Sequence, residues 1–280
     1  MPHRQLARAN EFRTLHAQAS GFLIPNPWDR GSARLLAQLG FKALATTSAG
    51  FSYSRGEPDR SASREPMLSH LADMASATDL PVSADLERGF GASPEEVAET
   101  TRLAAAAGVV GGSIEDSSGN ATTPLLEPAR AADRIRAAAE AARHLPFPFM
   151  LTARAENFSV GLPDLADTIA RLQCYQDAGA DVLFAPGITS RQDIATVLRS
   201  VDRPLNVLIA VAGMQLTVQD LLELGVRRIS VGGSLARAAY GELVRAATEL
   251  QTQGTLNYAA AALPGARLNE TFSRWDLGNE

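Results

Sequence analysis

Val82-Ser83-Ala84-Asp85-Leu86-Glu87-Arg88-Gly89-Phe90-Gly91 follows an apolar lead-in, Leu80-Pro81, presents two carboxylates one residue apart, and then breaks on glycines. An extended segment alternates its side chains, so the spacing predicts Asp85 and Glu87 on one side of a strand as it leaves a sheet. Two acids held close repel each other, and a divalent cation relieves the repulsion. Hard oxygen ligands with no Cys or His beside them favour Mg²⁺, with Mn²⁺ as the alternative, over zinc. Alone, such a D-x-E pair reads more simply as two solvated charges in a surface loop. Its neighbours, however, repeat the pattern of an apolar strand ending in charge.

Working outward, the chain alternates regularly between short apolar runs and amphipathic stretches. Strands are expected at Phe22 to Pro25, Ala43 to Thr47, the Asp85 segment, VVGGSIED ending on Glu115-Asp116, and Phe149 to Ala153 ending on Arg154. Three more follow at Asp181 to Phe184, Leu205 to Ala210 and Arg228 to Val231. Helices are expected between them, among them GSARLLAQLG, Met67 to Ala77, Pro94 to Ala107, Ala129 to His144, Leu165 to Asp177 and Gln192 to Ser200, with Ser234 to Gln251 after the last strand. Ser93, followed by Glu95 and Glu96, has the chemistry of an N-cap with acids in the first turn. Glycines near 40, 108, 179 and 225 mark helix ends. SAGFSYSRGEPD, after the second strand, reads as a long polar loop.

Strands separated by helices run parallel, and right-handed crossovers close eight of them into a (β/α)8 TIM-type barrel. An open doubly wound sheet would place a glycine fingerprint after the first strand, and PNPWDRG is not one. The expectation is a single α/β barrel domain over 1–280: an N-terminal helix, a barrel over about 21–251, and a helical C-terminal extension over 252–280.

Composition fits that architecture. The chain has 280 residues, 45% of them hydrophobic, enough for one large core. A net charge of −5 without a sustained basic stripe argues against a nucleic-acid partner. The single cysteine, Cys174, excludes an intrachain disulfide framework and fits a reducing compartment. No apolar run reaches membrane-spanning length, and the first helix lacks the apolar core of a signal peptide, so the expected location is cytoplasmic.

Barrel enzymes carry their chemistry at the C-terminal ends of the strands. Here those ends offer Trp28 and Asp29, Thr46 to Ser48, Asp85 and Glu87, Glu115 and Asp116, Arg154, and Ser230 with Gly232. Acids from two neighbouring strands beside a fixed arginine suit a substrate with a carboxylate next to a carbonyl. A metal would polarise that carbonyl and stabilise an enolate, while the arginine pairs with charge. A purely structural network of buried acids and arginine is the plainer alternative.

The segments IPNPWDRGSARLLAQLGF, TTSAGFSYSRGEPD, VSADLERGFG, GGSIEDS, LTARAENF and DAGADVLFAPG, in this order, resemble the isocitrate lyase/phosphoenolpyruvate mutase superfamily, from the first strand through ISVGGSLARAAYG. Members are Mg²⁺-dependent enzymes that make or break C–C or P–C bonds next to a 2-oxo acid. The resemblance implies that Asp85 is the main metal carboxylate and that Glu87 and Glu115 hold metal-bound waters. Arg154, Asp59 and Glu115 become the candidate catalytic groups, Asp59 on a mobile loop over the site. Thr47 and Ser48 would offer donors to the oxo acid beside Arg154. Trp28 either stacks on substrate or walls the mouth, and Asn206, inside the seventh strand, points into the barrel as a further candidate substrate contact. The resemblance also implies a homo-oligomer, dimer or tetramer, with the last barrel helix, Ser234 to Gln251, exchanged between subunits.

The departures narrow the chemistry. The lyases of this superfamily carry a K-[KR]-C-G-H loop after the fourth strand, whose cysteine is a catalytic acid; here the loop is SSGNATTPLLEP. The P–C enzymes carry a lysine and an asparagine in that loop and a histidine after the sixth strand. This chain has Asn120 but no lysine, and Ala185-Pro186 in place of the histidine. The second metal-site acid is Glu87 where Asp is usual. His3, His16, His70 and His144 fall on helices and read as surface or packing groups, and Cys174 as a buried packing thiol. Tyr53 and Arg55 either close over a ligand or are solvated. The first expectation is therefore a Mg²⁺-dependent lyase or decarboxylase of a small 2-oxo or 2-hydroxy dicarboxylate, with oxaloacetate as the reference. A phosphonopyruvate/phosphoenolpyruvate mutase or P–C hydrolase comes second, and a barrel that binds a 2-oxo acid without turnover third.

Overall fold

Eight short parallel strands form one sheet in the order β1-β8-β7-β6-β5-β4-β3-β2. They are β1 (Phe22–Ile24), β2 (Leu44–Ala45), β3 (Val82–Asp85), β4 (Gly111–Glu115), β5 (Met150–Arg154), β6 (Val182–Phe184), β7 (Leu205–Leu208) and β8 (Arg228–Ser230). The remaining gap, between β1 and β2, is bridged by the Ala45 amide donating to the Pro25 carbonyl at 3.1 Å, so the barrel closes. The computed structural model describes residues 2–273 and 275.

The helices are α1 (Pro2–Ala17), α2 (Arg30–Gln38), α3 (Ser48–Ser54), α4 (Arg64–Ala77), α5 (Pro94–Ala106), α6 (Pro128–Arg143), α7 (Leu165–Asp177), α8 (Arg191–Ser200), α9 (Val218–Leu224), α10 (Ser234–Gln253) and α11 (Gly265–Ser273), with a 3₁₀ turn at Asn257–Ala261. Local chemistry sets their ends. Ser93 and Glu96 form a reciprocal capping box at α5, and Gly225 closes α9 in the left-handed conformation at φ 98°. Asp29, expected from its position to be a strand-end acid, is instead the N-cap of α2, accepting from the Ser32 amide. No helix among the described residues is long and apolar enough to cross a membrane.

The floor of the barrel is apolar and plugged. Phe12 and Ala9 of α1 pack with Phe22, Ile24, Ala43, Val110, Met150 and Val182. Gly111 permits this approach: a Cβ there would stand 2.9 Å from the Phe12 ring and 2.8 Å from the Met150 carbonyl. His16 lies in the same layer, edge-on to Phe12 and Phe22, and His70 stacks on Phe51. Both are packing histidines.

Two expectations change, and the third feature, the C-terminal extension, is helical as expected. The segment after β2 opens as helix α3, because Thr47 caps it by accepting from the Gly50 amide at 3.2 Å. Cys174 is exposed, since it falls on the outer face of α7 while Leu172 and Tyr175 take the inner one. The C-terminal tail folds back on the barrel, where Thr271 of α11 donates to Gln38 of α2 at 3.0 Å.

Candidate active site

β4 and β5 run in register, which sets Glu115 directly beside Arg154 at the strand ends. Arg154 is a hub: it pairs with Asp85 of β3 at 3.1 Å, with Glu115 at 3.1 Å and, through Nε, with Glu156 at 2.9 Å. Burial works against its charge, but Glu156, Glu115 and Asp85 together raise its pKa well above the ordinary guanidinium value. Its guanidinium also lies 5.2 Å from the centre of the Phe184 ring.

Asp85 is held from the other side by α3. Its Oδ2 accepts from the Ser48 amide at 3.1 Å and the Ser48 hydroxyl at 2.8 Å, and its own amide donates to Thr46 Oγ1 at 2.9 Å. The Ser48 donors are thus aimed at Asp85, and the Thr47 hydroxyl is engaged as the α3 cap.

Glu87 reaches the site by a different route from simple alternation. The strand ends at Asp85, and Glu87 sits in a turn with φ 48°, a left-handed conformation uncommon outside glycine. The turn folds the chain back so that the Glu87 amide donates to Asp85 Oδ1 at 3.3 Å. Its side chain is buried, and Oε1 has no hydrogen-bond partner. Burial, followed by the charges of Asp85, Glu115 and Asp59, pushes its pKa up to about 8.

The loop before α4 delivers Asp59 and Arg60 over the strand ends. Asp59 lines the cavity, and its carboxyl is raised by burial and by Asp85. Arg60, whose φ is 63°, pairs with Glu115 at 3.1 Å and Glu156 at 3.5 Å. Burial pushes Glu156 up to about 7, against the pull of Arg154. Glu115 also accepts from the Ser117 hydroxyl at 2.6 Å. Asp116, in contrast, turns away into a supporting network. It accepts from Tyr175 at 2.6 Å, from Arg171 at 3.1 Å, and from the Glu156 amide at 2.9 Å, which fixes the backbone behind the site.

Two cavities meet here. An inner one of about 210 Å³ is lined by Asp59, Asp85, Glu115 and Arg154 and, deeper, by Asn206, Arg228 and Ser230. An outer one of about 410 Å³ is lined by Glu87, Arg88, Ser117 and Asn120; Arg60 and Glu115 border both. Trp28 lines neither: it stands half-buried beside Gly50 of α3. Arg55 pairs with Glu57 at 2.8 Å, outside both cavities.

The set has a negative surplus. Asp59, Asp85, Glu87, Glu115 and Glu156 outnumber the guanidinium groups of Arg60 and Arg154. Among the described residues no three His, Cys, Asp or Glu side chains converge into a ready-made metal cage. The orphaned Glu87 oxygen beside Asp85 and Glu115 nevertheless fits a hard divalent cation, and the proton Glu87 holds is one that such a cation displaces.

Sequence reasoning brought Asp59, Asp85, Glu87, Glu115, Arg154, Thr47, Ser48 and Asn206 to this place. It missed Glu156, Arg60 and Arg228. Glu156 follows Arg154 at the alternation distance in LTARAEN, Arg60 adjoins Asp59, and Arg228 is a charge at the head of an apolar strand; each signal was present.

The sequence profile of the phosphoenolpyruvate phosphomutase family matches residues 12–251. A Burkholderia cenocepacia J2315 protein, provisionally assigned as a lyase/mutase, has 56% identity and a TM-score of 0.95 over 96% of this chain and 98% of its own. An oxaloacetate decarboxylase of a Bradyrhizobium species is 29% identical over 259 residues, 88% of this chain and 86% of its own. A phosphonopyruvate hydrolase solved with oxalate and Mg²⁺ is 25% identical with a TM-score of 0.84, covering 96% of each chain.

Proposed function

The chain belongs to the phosphoenolpyruvate phosphomutase family of the isocitrate lyase/PEP mutase superfamily, and on that premise we propose that it is a Mg²⁺-dependent lyase acting on a small 2-oxo or 2-hydroxy dicarboxylate, with decarboxylation of an oxaloacetate-like acid as its reaction. The observation that carries the reading is Arg154, pinned by Asp85, Glu115 and Glu156 beside the orphaned Glu87 carboxyl. Similarity to the Bradyrhizobium oxaloacetate decarboxylase supports the reaction, and similarity to the hydrolase solved with oxalate and Mg²⁺ supports the ion.

Asp85, Glu87 and Glu115 would hold the cation, Mg²⁺ or Mn²⁺. When bound it supplies Lewis-acid polarisation of a carbonyl next to the bond that breaks. Arg154 orients the substrate carboxylate with its planar fork and meets the negative charge that develops on the enolate. Ser48 holds the Asp85 carboxylate in place, and the Asp59–Arg60 loop covers the cavity and limits water. Loss of CO₂ leaves its electron pair on the carbonyl system, and a proton from solvent completes a 2-oxo product. That step needs none of the acid–base groups absent from SSGNATTPLLEP.

A second reading, P–C chemistry on phosphonopyruvate, rests on the same family membership and on Asn120 lining the outer cavity. The lysine and histidine of that chemistry are absent from their places. A barrel that binds a 2-oxo acid without turnover is the third. One screen separates them: pyruvate formed from oxaloacetate with Mg²⁺ and not with EDTA supports the first reading. Phosphorus NMR showing consumption of phosphonopyruvate supports the second, and metal-dependent oxalate binding without turnover the third.

The functional unit is a homo-oligomer. α10 buries only Ala236, while Leu243 and Val244 are 61% and 63% exposed, an apolar stripe that suits a second copy of this chain. Light scattering giving a monomer mass would remove this part of the proposal.

A further inference from the structure

Arg228 opens β8 with its side chain inside the barrel, and only 4% of the residue is exposed. Its Nε donates to Asn206 Oδ1 at 2.9 Å, but Nη1 has no hydrogen-bond partner. No carboxylate among the described residues pairs with it. The charge that bears on it is another cation: burial together with Arg154 lowers its pKa to about 9, so it stays protonated at neutral pH. A buried charge without a counter-charge costs several kcal/mol in a fold. Packing does not explain why a barrel strand should carry one.

Its surroundings are organised for a ligand. The Asn206 amide nitrogen donates to Ser230 Oγ at 3.0 Å, which fixes the amide so that its oxygen faces Arg228. Ser230, an acceptor in that bond, keeps its own O–H to donate. All three line the inner cavity, and Arg228 enters it from the start of β8, whereas the acids stand at the opposite, C-terminal ends of β3 and β4. Arg154, at the rim, already faces three carboxylates, whereas Arg228 faces none.

We propose that the deep end of the inner cavity is a receptor for a second anionic group, in which Arg228, set by Asn206 and flanked by Ser230, takes the far carboxylate of a dicarboxylate substrate. This rests on the functional reading above and deepens it: the 2-oxo or 2-hydroxy acid end lies at the acidic rim, the other carboxylate points into the barrel, and monocarboxylates are discriminated against. A planar carboxylate matches the guanidinium fork, and the Ser230 hydroxyl adds a third donor.

The test compares ligands that differ only in the far carboxylate. Malate and lactate share a 2-hydroxy acid end, and oxalate occupies the rim alone. Calorimetry in Mg²⁺ on the wild type and on Arg228→Met should show malate preferred over lactate by about thirtyfold or more in the wild type, with the preference erased in the variant. Oxalate affinity should be the same in both. An unchanged malate-to-lactate ratio overturns the proposal. Absence of Mg²⁺-dependent oxalate binding in the wild type is a failure of the functional reading instead. Then a metal-free arm decides: succinate in EDTA should raise the melting temperature of the wild type and not of Arg228→Met, and equal shifts overturn the receptor. The unliganded variant gives an independent readout. Removing an unpaired buried charge should leave its melting temperature equal or higher, so a variant that melts lower or fails to fold marks Arg228 as structural and overturns the proposal.

Discussion

Two arginines stand inside one barrel under opposite conditions. Arg154, at the C-terminal end of β5, pairs with Asp85, Glu115 and Glu156, and its charge is reinforced. Arg228, at the start of β8, has a single amide oxygen and, among the described residues, no counter-charge, and its charge is weakened. Both positions are sheltered, so burial alone does not separate them. The difference lies in the neighbouring strands: β3 and β4 end in acids, while β7 beside Arg228 supplies Asn206. A fully compensated arginine meets its substrate from within a pre-arranged frame, and an uncompensated one still wants the counter-charge that a ligand brings.

Breaking the frame at its acidic side should have the largest effect. Asp85→Ala removes the carboxylate that joins Ser48 to Arg154, and kcat/KM should fall by on the order of a thousandfold with loss of Mg²⁺ dependence. Glu87→Asp keeps the charge and should be milder. Equal, near-complete losses in the two variants would contradict a direct role for Asp85 and a water-mediated one for Glu87.

Arg154→Lys comes next. It keeps the charge but loses the fork, so about 2–4 kcal/mol of transition-state stabilisation, roughly a hundredfold in kcat/KM, should go while the fold stays intact. Arg154→Met leaves buried carboxylates uncompensated and should lower stability by about 3–5 kcal/mol, the reverse of what Arg228→Met does. Equal melting temperatures for these two methionine variants would erase the contrast between the arginines. Urea unfolding and steady-state kinetics on the same preparations provide both readouts.

Tyr175→Phe addresses the layer behind the frame. It takes one donor from the buried Asp116 carboxylate, which positions the Glu156 amide, and should cost about 1–2 kcal/mol of stability. Its effect on KM should be small, and a loss of activity without loss of stability would move Asp116 from a supporting role into the site.

The smallest effect lies beneath Arg228. His16 Nδ1–H donates to the Phe12 carbonyl at 2.8 Å, and burial, then Arg228, pushes its pKa down to about 3. The folded chain keeps it neutral, while the unfolded chain takes up a proton below about 6.5. Its contribution is therefore fully present above pH 6.5 and is lost as pH falls toward 3. Urea midpoints at pH 7 and pH 5 should differ less in His16→Leu than in the wild type, and an identical pH dependence would show that His16 is not buried neutral.

The barrel was legible because its signals are local and repeated: apolar runs, caps such as Ser93, and glycines that end helices. The position of Asp85, Glu115 and Arg154 followed from the rule that strand ends carry chemistry. Glu87 was placed correctly for a reason that does not hold, since a left-handed turn, and not strand alternation, returns it to Asp85. Helix α3 was hidden by its polar composition, so the second role of Thr47, which caps that helix while lining the inner cavity, was not legible. Arg60, Glu156 and Arg228 depend on which side chains meet across the barrel, and that is decided by register between distant segments such as β7 and β8.

The central claim, that the acidic rim binds a divalent cation on which a 2-oxo acid is held, has one direct measurement. Oxalate is titrated calorimetrically into the wild-type protein in Mg²⁺ and again in EDTA. Saturable binding at one site per chain that appears in Mg²⁺ and vanishes in EDTA is the predicted result. Equal binding in both buffers, or none in either, would contradict the account.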